Sequence, residues 1–221
     1  MKISIISDTH HKHIHLQLPS ENEIDTIIHA GDFSSFSKSF NAFLEWYSSL
    51  PYKNKILVAG NHDEYVFETG YETIYEICKK VGIIYLQDSS VEIDNIVFHG
   101  SPWSNCFGLW AFMEEENVLE SYWNKIPLQT NVLITHGPAY GKGDRVNNDL
   151  QKERHVGSKT LLKRLEALKK LKLHCYGHIH EAFGEHNEKN QTFISYNACS
   201  FDDNKTMLNV PLIFEIKKEK I

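Results

Sequence analysis

Short apolar runs of strand length recur along the first half of the chain. They occupy residues 2–6, 25–30 and 55–59. Between the last two runs, residues 37–50 place Phe40 and other aromatic side chains at helical spacing, which predicts an amphipathic helix. A strand, a helix and a returning strand form a βαβ unit, whose two strands lie parallel in one sheet. The pattern therefore predicts an α/β fold.

After residue 83 the pattern changes from crossovers to hairpins. Alternating segments at residues 91–93 and 96–98 are separated by two residues, as in an antiparallel pair. We therefore expect the second half to add antiparallel strands, as a second sheet. The remaining predicted elements are helices at residues 69–81 and 157–171 and strands at residues 83–86, 130–135, 172–176, 192–196 and 212–217.

Length and charge narrow the class of protein. The chain has 221 residues, of which 41% are hydrophobic and 24% charged, as in an ordinary globular protein. With no linker, repeat or low-complexity tract, we expect one domain spanning residues 1–221. The formal net charge of -6 disfavours long nucleic acid as a partner, because a surface that follows phosphates needs an excess of Lys and Arg.

Cysteine usage and hydropathy predict a compartment. Cys78, Cys106, Cys175 and Cys199 are scattered without a C-x-x-C pair, which indicates a reducing environment and no thiolate metal site. No apolar run approaches the roughly 18 residues of a membrane span, and the N-terminal run is too short for a signal peptide. We therefore expect a cytoplasmic protein without membrane contact.

Donor side chains follow the predicted strands at the points where the strands end. Asp8 and His10 come after the first strand and, two residues apart on extended backbone, point the same way. Because open α/β sheets place their chemistry at the carboxyl ends of strands, donors from several strands should meet there. The candidates are Asp8, His10, Asp32, Asn61, His62, His136, His178 and His180.

The number and type of these donors indicate two metal ions. Leaving His62 aside, seven candidates remain, too many for one tetrahedral ion and suitable for two ions that share a carboxylate. Oxygen and nitrogen donors together suit Mn, Fe or Zn. Asn61 offers a neutral carbonyl oxygen where several carboxylates are already present, and the adjacent His62 is free to face a substrate.

Two other segments have competing interpretations. His11, His13 and His15 have the spacing of the H-x-H pattern in metallo-β-lactamase and amidohydrolase folds, but the partners of that pattern are missing, so we interpret them as a solvated loop. Residues 103–112 carry four aromatic side chains punctuated by Gly and Pro. They form either a small satellite core under a loop or the wall of a substrate pocket, to which Trp103 and Trp110 would contribute.

Five ordered motifs resemble those of the calcineurin-like metallophosphoesterase superfamily, over nearly the whole chain. They are Asp8-x-His10, Gly31-Asp32, Gly60-Asn61-His62-Asp63, Thr135-His136-Gly137 and Gly177-His178-x-His180. Within this superfamily, residues 86–90, 100–103, 135–138 and 177–181 resemble the metallophosphoesterase-domain-containing phosphodiesterases.

The resemblance implies a four-layer α/β/β/α sandwich of two mixed sheets flanked by helices, with a binuclear metal centre at one edge. It implies a first ion held by Asp8, His10 and His180, a second held by Asn61, His136 and His178, and Asp32 as the bridge. It also places His62 beside the leaving group or a phosphate oxygen, oriented by Asp63. Two such ions lower the pKa of a shared water, so that metal hydroxide attacks the phosphoester.

Departures from the pattern refine the expected function. Vertebrate members of the subfamily have Gly in place of the last His of the Gly-His-x-His motif and are weak catalysts, whereas this chain keeps His180. Protein phosphatases have Arg after the Gly-Asp pair, whereas Phe33 follows here. We expect a phosphodiesterase, most active in vitro with Mn, that acts on a small nucleotide-like diester such as a cyclic nucleotide. The alternatives are a nucleotide- or metal-binding module with incidental hydrolysis and a nuclease of the same superfamily.

Overall fold

The structure of the protein is a computed structural model that describes residues 1–147, 153–189, 191–202, 204, 206 and 208–217. Its strands are β1 (Lys2–Ile6), β2 (Thr26–Ala30), β3 (Asn54–Val58), β4 (Ile84–Tyr85), β5 (Ser89–Ile93), β6 (Ile96–Ser101), β7 (Ser104–Asn105), β8 (Met113–Glu114), β9 (Val132–Thr135), β10 (Arg145–Asn147), β11 (Glu153–His155), β12 (Leu173–Tyr176), β13 (Gly184–Glu185), β14 (Ile194–Asn197) and β15 (Leu212–Glu215). Its helices are α1 (Ser37–Ser49), α2 (Glu64–Thr69), α3 (Tyr71–Lys80), α4 (Glu116–Trp123) and α5 (Lys159–Ala167), with single 3-10 turns at His13–His15 and His180–Ala182.

The first sheet has the strand order β15-β1-β2-β3-β4. Strands β1 to β4 are parallel, and β15 pairs antiparallel with β1 at the edge. The parallel pairing follows from the crossovers, because α1 connects β2 to β3 and the α2–α3 pair connects β3 to β4. The predicted βαβ arrangement of the first half is therefore confirmed.

The second sheet has the order β13-β14-β12-β9-β6-β5. The expectation of antiparallel strands is correct for the edge strands β5 and β13 and wrong for the centre, where β6, β9, β12 and β14 are parallel. Helices α4 and α5 explain the difference, because each carries the chain back between two central strands. Helix α4 was not predicted, although Leu119 and Trp123 are buried on one of its faces at i, i+4 spacing.

Two layers of apolar packing hold the elements together. One lies between the sheets, where Ile5 and Ile28 of the first sheet share a buried cluster with Phe98 and Ile134 of the second. The other lies under the helices and includes Phe43 of α1 and residues of α5. Each sheet is thus covered by the other sheet on one face and by helices on the opposite face. The predicted four-layer α/β/β/α sandwich of two mixed sheets is confirmed.

The helix predicted at residues 69–81 corresponds to α3, and a separate short helix, α2, precedes it. Helix α2 ends at Thr69 and α3 begins at Tyr71, with Gly70 between them at φ 86°. A left-handed φ of this kind is accessible to Gly at little cost, and it stops the first helix and redirects the second. The effect is to pack Ile74 and Cys78 of α3 into the core.

No helix in the part of the chain that the structure describes is both long and apolar enough to cross a membrane. All four cysteines are free thiols in the structure.

Candidate metal centre

The strand ends of both sheets bring the predicted ligands to one edge of the sandwich. The first sheet supplies residues that follow β1, β2 and β3, and the second supplies residues that follow β9 and β12. The donors form two groups of three, in each of which the ligand atoms lie within 4.8 Å of one another. The groups are Asp8, His10 and His180, and Asp32, His136 and His178.

The first group is arranged around one carboxylate oxygen. Asp8 Oδ1 lies 3.6 Å from His180 Nε2 and 4.0 Å from His10 Nε2, and the two Nε2 atoms are 3.2 Å apart. An oxygen and two imidazole nitrogens that converge in this way are a suitable donor set for Mn, Fe or Zn.

Asp32 lies between the two groups. Its Oδ1 is 3.3 Å from His136 Nε2, whereas its Oδ2 is 3.8 Å from His10 Nε2. Each carboxylate oxygen therefore faces a different group, which is the placement that a bridging ligand needs. Asn61 Oδ1 lies 2.8 Å from His136 Nε2 and so adds a neutral oxygen to the second group. The grouping is the one that the resemblance implies, and metal binding by these residues stays a prediction.

Backbone carbonyls orient two of the imidazoles. His136 Nδ1 donates to the carbonyl of Ala30 at 3.0 Å, and His180 Nδ1 donates to the carbonyl of Phe201 at 2.9 Å. Because a carbonyl can only accept, each ring has a proton on Nδ1, so Nε2, the atom that faces the site, is the one that could bind a metal ion.

One buried oxygen lacks a donor. Asp8 Oδ2 accepts from Ser7 Oγ at 2.5 Å and from the His178 N–H at 2.9 Å, but Asp8 Oδ1 is buried with no hydrogen-bond partner among the residues that the structure describes. A buried carboxylate oxygen is costly unless a donor or a cation compensates it. The oxygen in question is the one that faces His10 and His180, so the residues present fit a divalent cation.

The charges of the second group also favour a cation. Burial lowers the pKa of His136, but the carboxylates of Asp32 and Asp8 outweigh burial and raise that pKa to about 10. Burial and the nearby positive charge of His136 lower the pKa of His178 to about 4. The carboxylates that stabilise a proton on His136 would equally stabilise a metal ion that replaces it.

Strained backbone accompanies these side chains. Four of the candidate ligands have left-handed φ values, namely Asp8 at 53°, His10 at 39°, Asp32 at 59° and His178 at 70°. Non-glycine residues occupy this region at a cost, and such strain concentrates at functional sites where the surroundings fix the conformation. Each of these residues comes two to four positions after a strand, so the left-handed backbone turns the side chain toward the shared edge.

Glycines before the ligands leave room for the carboxylates. A Cβ on Gly177 would overlap Asp8 Oδ2 and Ser7 Oγ, and a Cβ on Gly60 would overlap Asp32 Oδ1 and meet His136 Nδ1 at 2.6 Å. The Gly in the Gly-His and Gly-Asn-His motifs is therefore required by close approach between strand ends.

His62 borders the site without joining either group. Its backbone N–H donates to Asp32 Oδ1 at 2.8 Å, and its ring lies 5.1 Å from that of His10 in an edge-on arrangement. The indole of Trp110 lies 4.5 Å from the His62 ring. This position is the one expected for a side chain that faces the substrate and does not bind a metal ion.

Asp63 has a different structural role from the one expected. Its two carboxylate oxygens accept backbone N–H groups at 2.7 to 3.0 Å from Asp32, Phe33, Ser34 and Gly60. The expectation that Asp63 orients His62 is therefore wrong, because both oxygens face the loop that carries Asp32. Asp63 is instead a positioning residue for Asp32.

Trp103 and Trp110 fall in different environments. Trp103 is 8% exposed, stacks on Tyr122 at 4.3 Å and donates its Nε1–H to Asp88 at 2.8 Å. The expected substrate contact is wrong for Trp103, because its ring packs in the apolar cluster under the helices and its N–H is bonded to Asp88. Trp110 is 43% exposed beside His62, so it does border the site.

We predict opposite effects for the two tryptophans. Trp103→Ala should lower the free energy of unfolding by about 3 to 5 kcal/mol, the usual cost of removing a buried aromatic side chain. Trp110→Ala should leave stability nearly unchanged and raise KM, because it removes only an exposed wall beside His62. Denaturant unfolding and steady-state kinetics on both variants test this, and a large loss of stability in Trp110→Ala would contradict it.

A cavity adjoins both groups of ligands. Its volume is about 870 Å³, and its wall includes Phe107, Tyr140, His155, His178 and His180. Phe107 is 62% exposed, with its ring 5.5 Å from that of His178. Sequence reasoning missed Tyr140 and His155; the only signal for Tyr140 is its position just after the Thr135-His136-Gly137 motif.

The chain is similar to known proteins over most of its length. Residues 1–182 match the calcineurin-like phosphoesterase family. Metallophosphoesterase domain-containing protein 1 of Homo sapiens is 33% identical over 236 residues, which cover 96% of this chain and 69% of that protein. UPF0046 protein C25E10.12 of Caenorhabditis elegans is 34% identical over 231 residues, which cover 96% and 79% respectively.

A solved structure shares the fold. The crystal structure of phosphopantetheinyl hydrolase from Mycobacterium tuberculosis superposes with a TM-score of 0.64 at 13% identity and covers 92% of this chain and 90% of that one. Such a likeness shows the fold alone. The family match over residues 1–182 and the two ligand groups define the class as a metal-dependent phosphoester hydrolase. The chain belongs to the calcineurin-like phosphoesterase family.

Proposed function

We propose that the protein is a phosphodiesterase that hydrolyses a small nucleotide-like diester with two divalent ions bound. The observation that carries this proposal is the position of Asp32, whose two oxygens face two separate groups of donors. Each group contains three donor residues, so the chain has the residues that a binuclear hydrolase requires.

The roles of the residues follow from their positions. Asp8, His10 and His180 would hold one ion, Asn61, His136 and His178 the other, and Asp32 both. The ions, when bound, supply positive charge for the phosphate and activation of water at neutral pH. His62 would donate a proton to the leaving oxygen, because its ring borders the site but belongs to neither ligand group.

The rim of the site supports a substrate with a flat group. Trp110 beside His62 and Phe107 beside His178 are both substantially exposed, and an aromatic face that stacks on a base contributes roughly 1 to 3 kcal/mol. The net charge of -6 disfavours long polyanions. We therefore include cyclic and other small nucleotide diesters in the proposed substrate class. The proposal also includes a cytoplasmic location and Mn as the metal that supports activity in vitro.

A metal-reconstitution assay tests the proposed function. The chain is stripped with a chelator, and hydrolysis of bis(p-nitrophenyl) phosphate and of p-nitrophenyl phosphate is followed with and without Mn. We expect chelation to abolish turnover, Mn to restore it, the diester to be preferred, and elemental analysis to give two ions per chain. Turnover that survives chelation, or a preference for the monoester, contradicts the proposal.

Replacement of His180 separates an enzyme from a binding module. His180→Gly removes one of three donors in the first group, so we expect the occupancy of that ion and the rate to fall by at least roughly 10- to 100-fold, the loss typical of removing even a supporting contact. Nucleotide binding should persist, because the second group is intact. Metal analysis, kinetics and equilibrium binding measure the three quantities. A variant as active as the parent would favour a binding module whose hydrolysis is incidental.

A further inference from the structure

The cavity beside the metal centre lies on one side of the site only. His178 and His180 form part of its wall, whereas His62 and Trp110 are not among the wall residues. At about 870 Å³ it is within the range of roughly 300 to 1,000 Å³ that is typical of small-molecule sites. A diester bound at the two ligand groups would thus have different surroundings for its two arms.

The far wall of the cavity is built from flat rings held in place by other residues. The rings of Tyr140 and His155 lie 4.7 Å apart at 34°, and Lys159 Nζ lies 5.3 Å from the centre of the Tyr140 ring. His155 Nδ1 is 2.7 Å from Oδ1 of the buried Asp144, which fixes the plane of its ring. A fixed flat wall binds a flat ligand at a low cost in conformational entropy.

The near wall adds a third ring. Phe107 lines the cavity beside His178 and is mostly exposed, so its face is open to a bound molecule. The charged side chains of the wall also include Arg154 and Glu181. The carboxylate of Glu116 accepts from Asn105, Ser158 and Thr160, which compensate its charge. The cavity surface therefore favours an aromatic heterocycle over a small alkyl group.

We propose that this cavity binds the arm of the diester that stays on phosphorus, and that it selects an arm with a flat heterocycle. The inference rests on the proposed function and deepens it. In hydrolysis the oxygen of water forms the new bond to phosphorus and releases a proton to solvent, and the bond to the leaving arm breaks. The leaving oxygen takes a proton from His62, which regains one from solvent. The leaving arm must then lie on the His62 side, and the arm that remains lies on the side of Phe107, Tyr140 and His155.

Two substrates with one leaving group test this. Thymidine 5′-(p-nitrophenyl phosphate) and methyl p-nitrophenyl phosphate both release p-nitrophenol, but they retain a nucleoside and a methyl group respectively. We expect the parent, reconstituted with Mn, to have a KM about tenfold lower for the thymidine ester, equivalent to roughly 1.4 kcal/mol. Tyr140→Leu should raise KM about five- to tenfold for the thymidine ester and leave it unchanged for the methyl ester.

A matched control exists in the chain. Tyr75 of α3 also has a lysine near its ring, with Lys79 Nζ at 5.5 Å, but it is not a wall residue of the cavity. Tyr75→Leu should therefore change neither KM. Phe107→Leu is the second test variant, because an exposed side chain is replaceable without loss of folding, and it should also raise KM for the thymidine ester alone.

The outcomes separate the two proposals. If the parent hydrolyses both esters with equal KM, the cavity inference is overturned and the proposed function stands. Equal losses on both esters in Tyr140→Leu and Phe107→Leu, together with a lower Tm, also overturn it. If the parent with Mn hydrolyses neither ester, the proposed phosphodiesterase function fails and the inference fails with it.

Discussion

Asp32→Ala should lower turnover by roughly 10³-fold or more and remove metal from both groups of donors. Among the described residues, Asp32 is the only one of the seven candidate ligands whose two carboxylate oxygens face different groups of donors. Without Asp32, two cations bound at the two groups would have no shared negative charge to offset their repulsion. The substitution also removes the acceptor of the His62 backbone N–H, so the loop that carries His62 loses a contact.

The measurement is a comparison of metal content and rate in three variants. Asp32→Asn keeps the shape of the side chain and removes its charge, so it should also lose activity if charge is what matters. Glu120→Ala removes an exposed carboxylate from α4 and should behave as the parent does. Retention of two ions per chain and of full activity by Asp32→Ala would disprove the assignment of Asp32 as the bridge.

The positions of the donors could be predicted because they depend on local pattern. Apolar runs such as residues 2–6 and 55–59 mark strands, and Asp8 and Asn61 follow them directly. Parallel pairing brings the ends of such strands together whatever the intervening sequence is. The candidate site is therefore visible in the sequence as a series of strand ends.

The role of Asp63 could not be predicted in this way. Three of the N–H groups that it accepts belong to Asp32, Phe33 and Ser34, about 30 positions earlier in the chain. No local pattern reports such a contact. The adjacent His62 suggested the wrong partner, because neighbours in sequence on a tight turn point in different directions.

The aromatic segment shows a similar limit. Trp103 and Trp110 look equivalent in the sequence, yet only Trp110 reaches the site. Asp88, which binds the Trp103 indole, and Tyr122, which stacks on it, come from other parts of the chain. Helix α4, which carries the chain back between two parallel strands of the second sheet, was also not predicted. It begins with an acidic residue and has only two buried positions, Leu119 and Trp123, so its helical pattern is weak.

His62→Ala should keep both ions and lower turnover by roughly 10²- to 10⁴-fold, the range typical of a general acid. The expectation follows from geometry, because the His62 ring lies beside His10 and Trp110 but outside both ligand groups. A proton donor matters most when the leaving group is a poor one. The loss should therefore be larger for a diester that releases an alcohol than for one that releases p-nitrophenol.

This dependence on the leaving group distinguishes an acid from a residue that only supports the fold. His62→Ala is compared with the parent on both kinds of diester, with metal analysis on each preparation, and the exposed His15→Ala serves as the control. A structural role would lower both rates by the same factor and would lower Tm, which contradicts the proposed role. Loss of an ion in His62→Ala would show that His62 is a metal ligand, and the assignment of Asn61 as a ligand would then have to change.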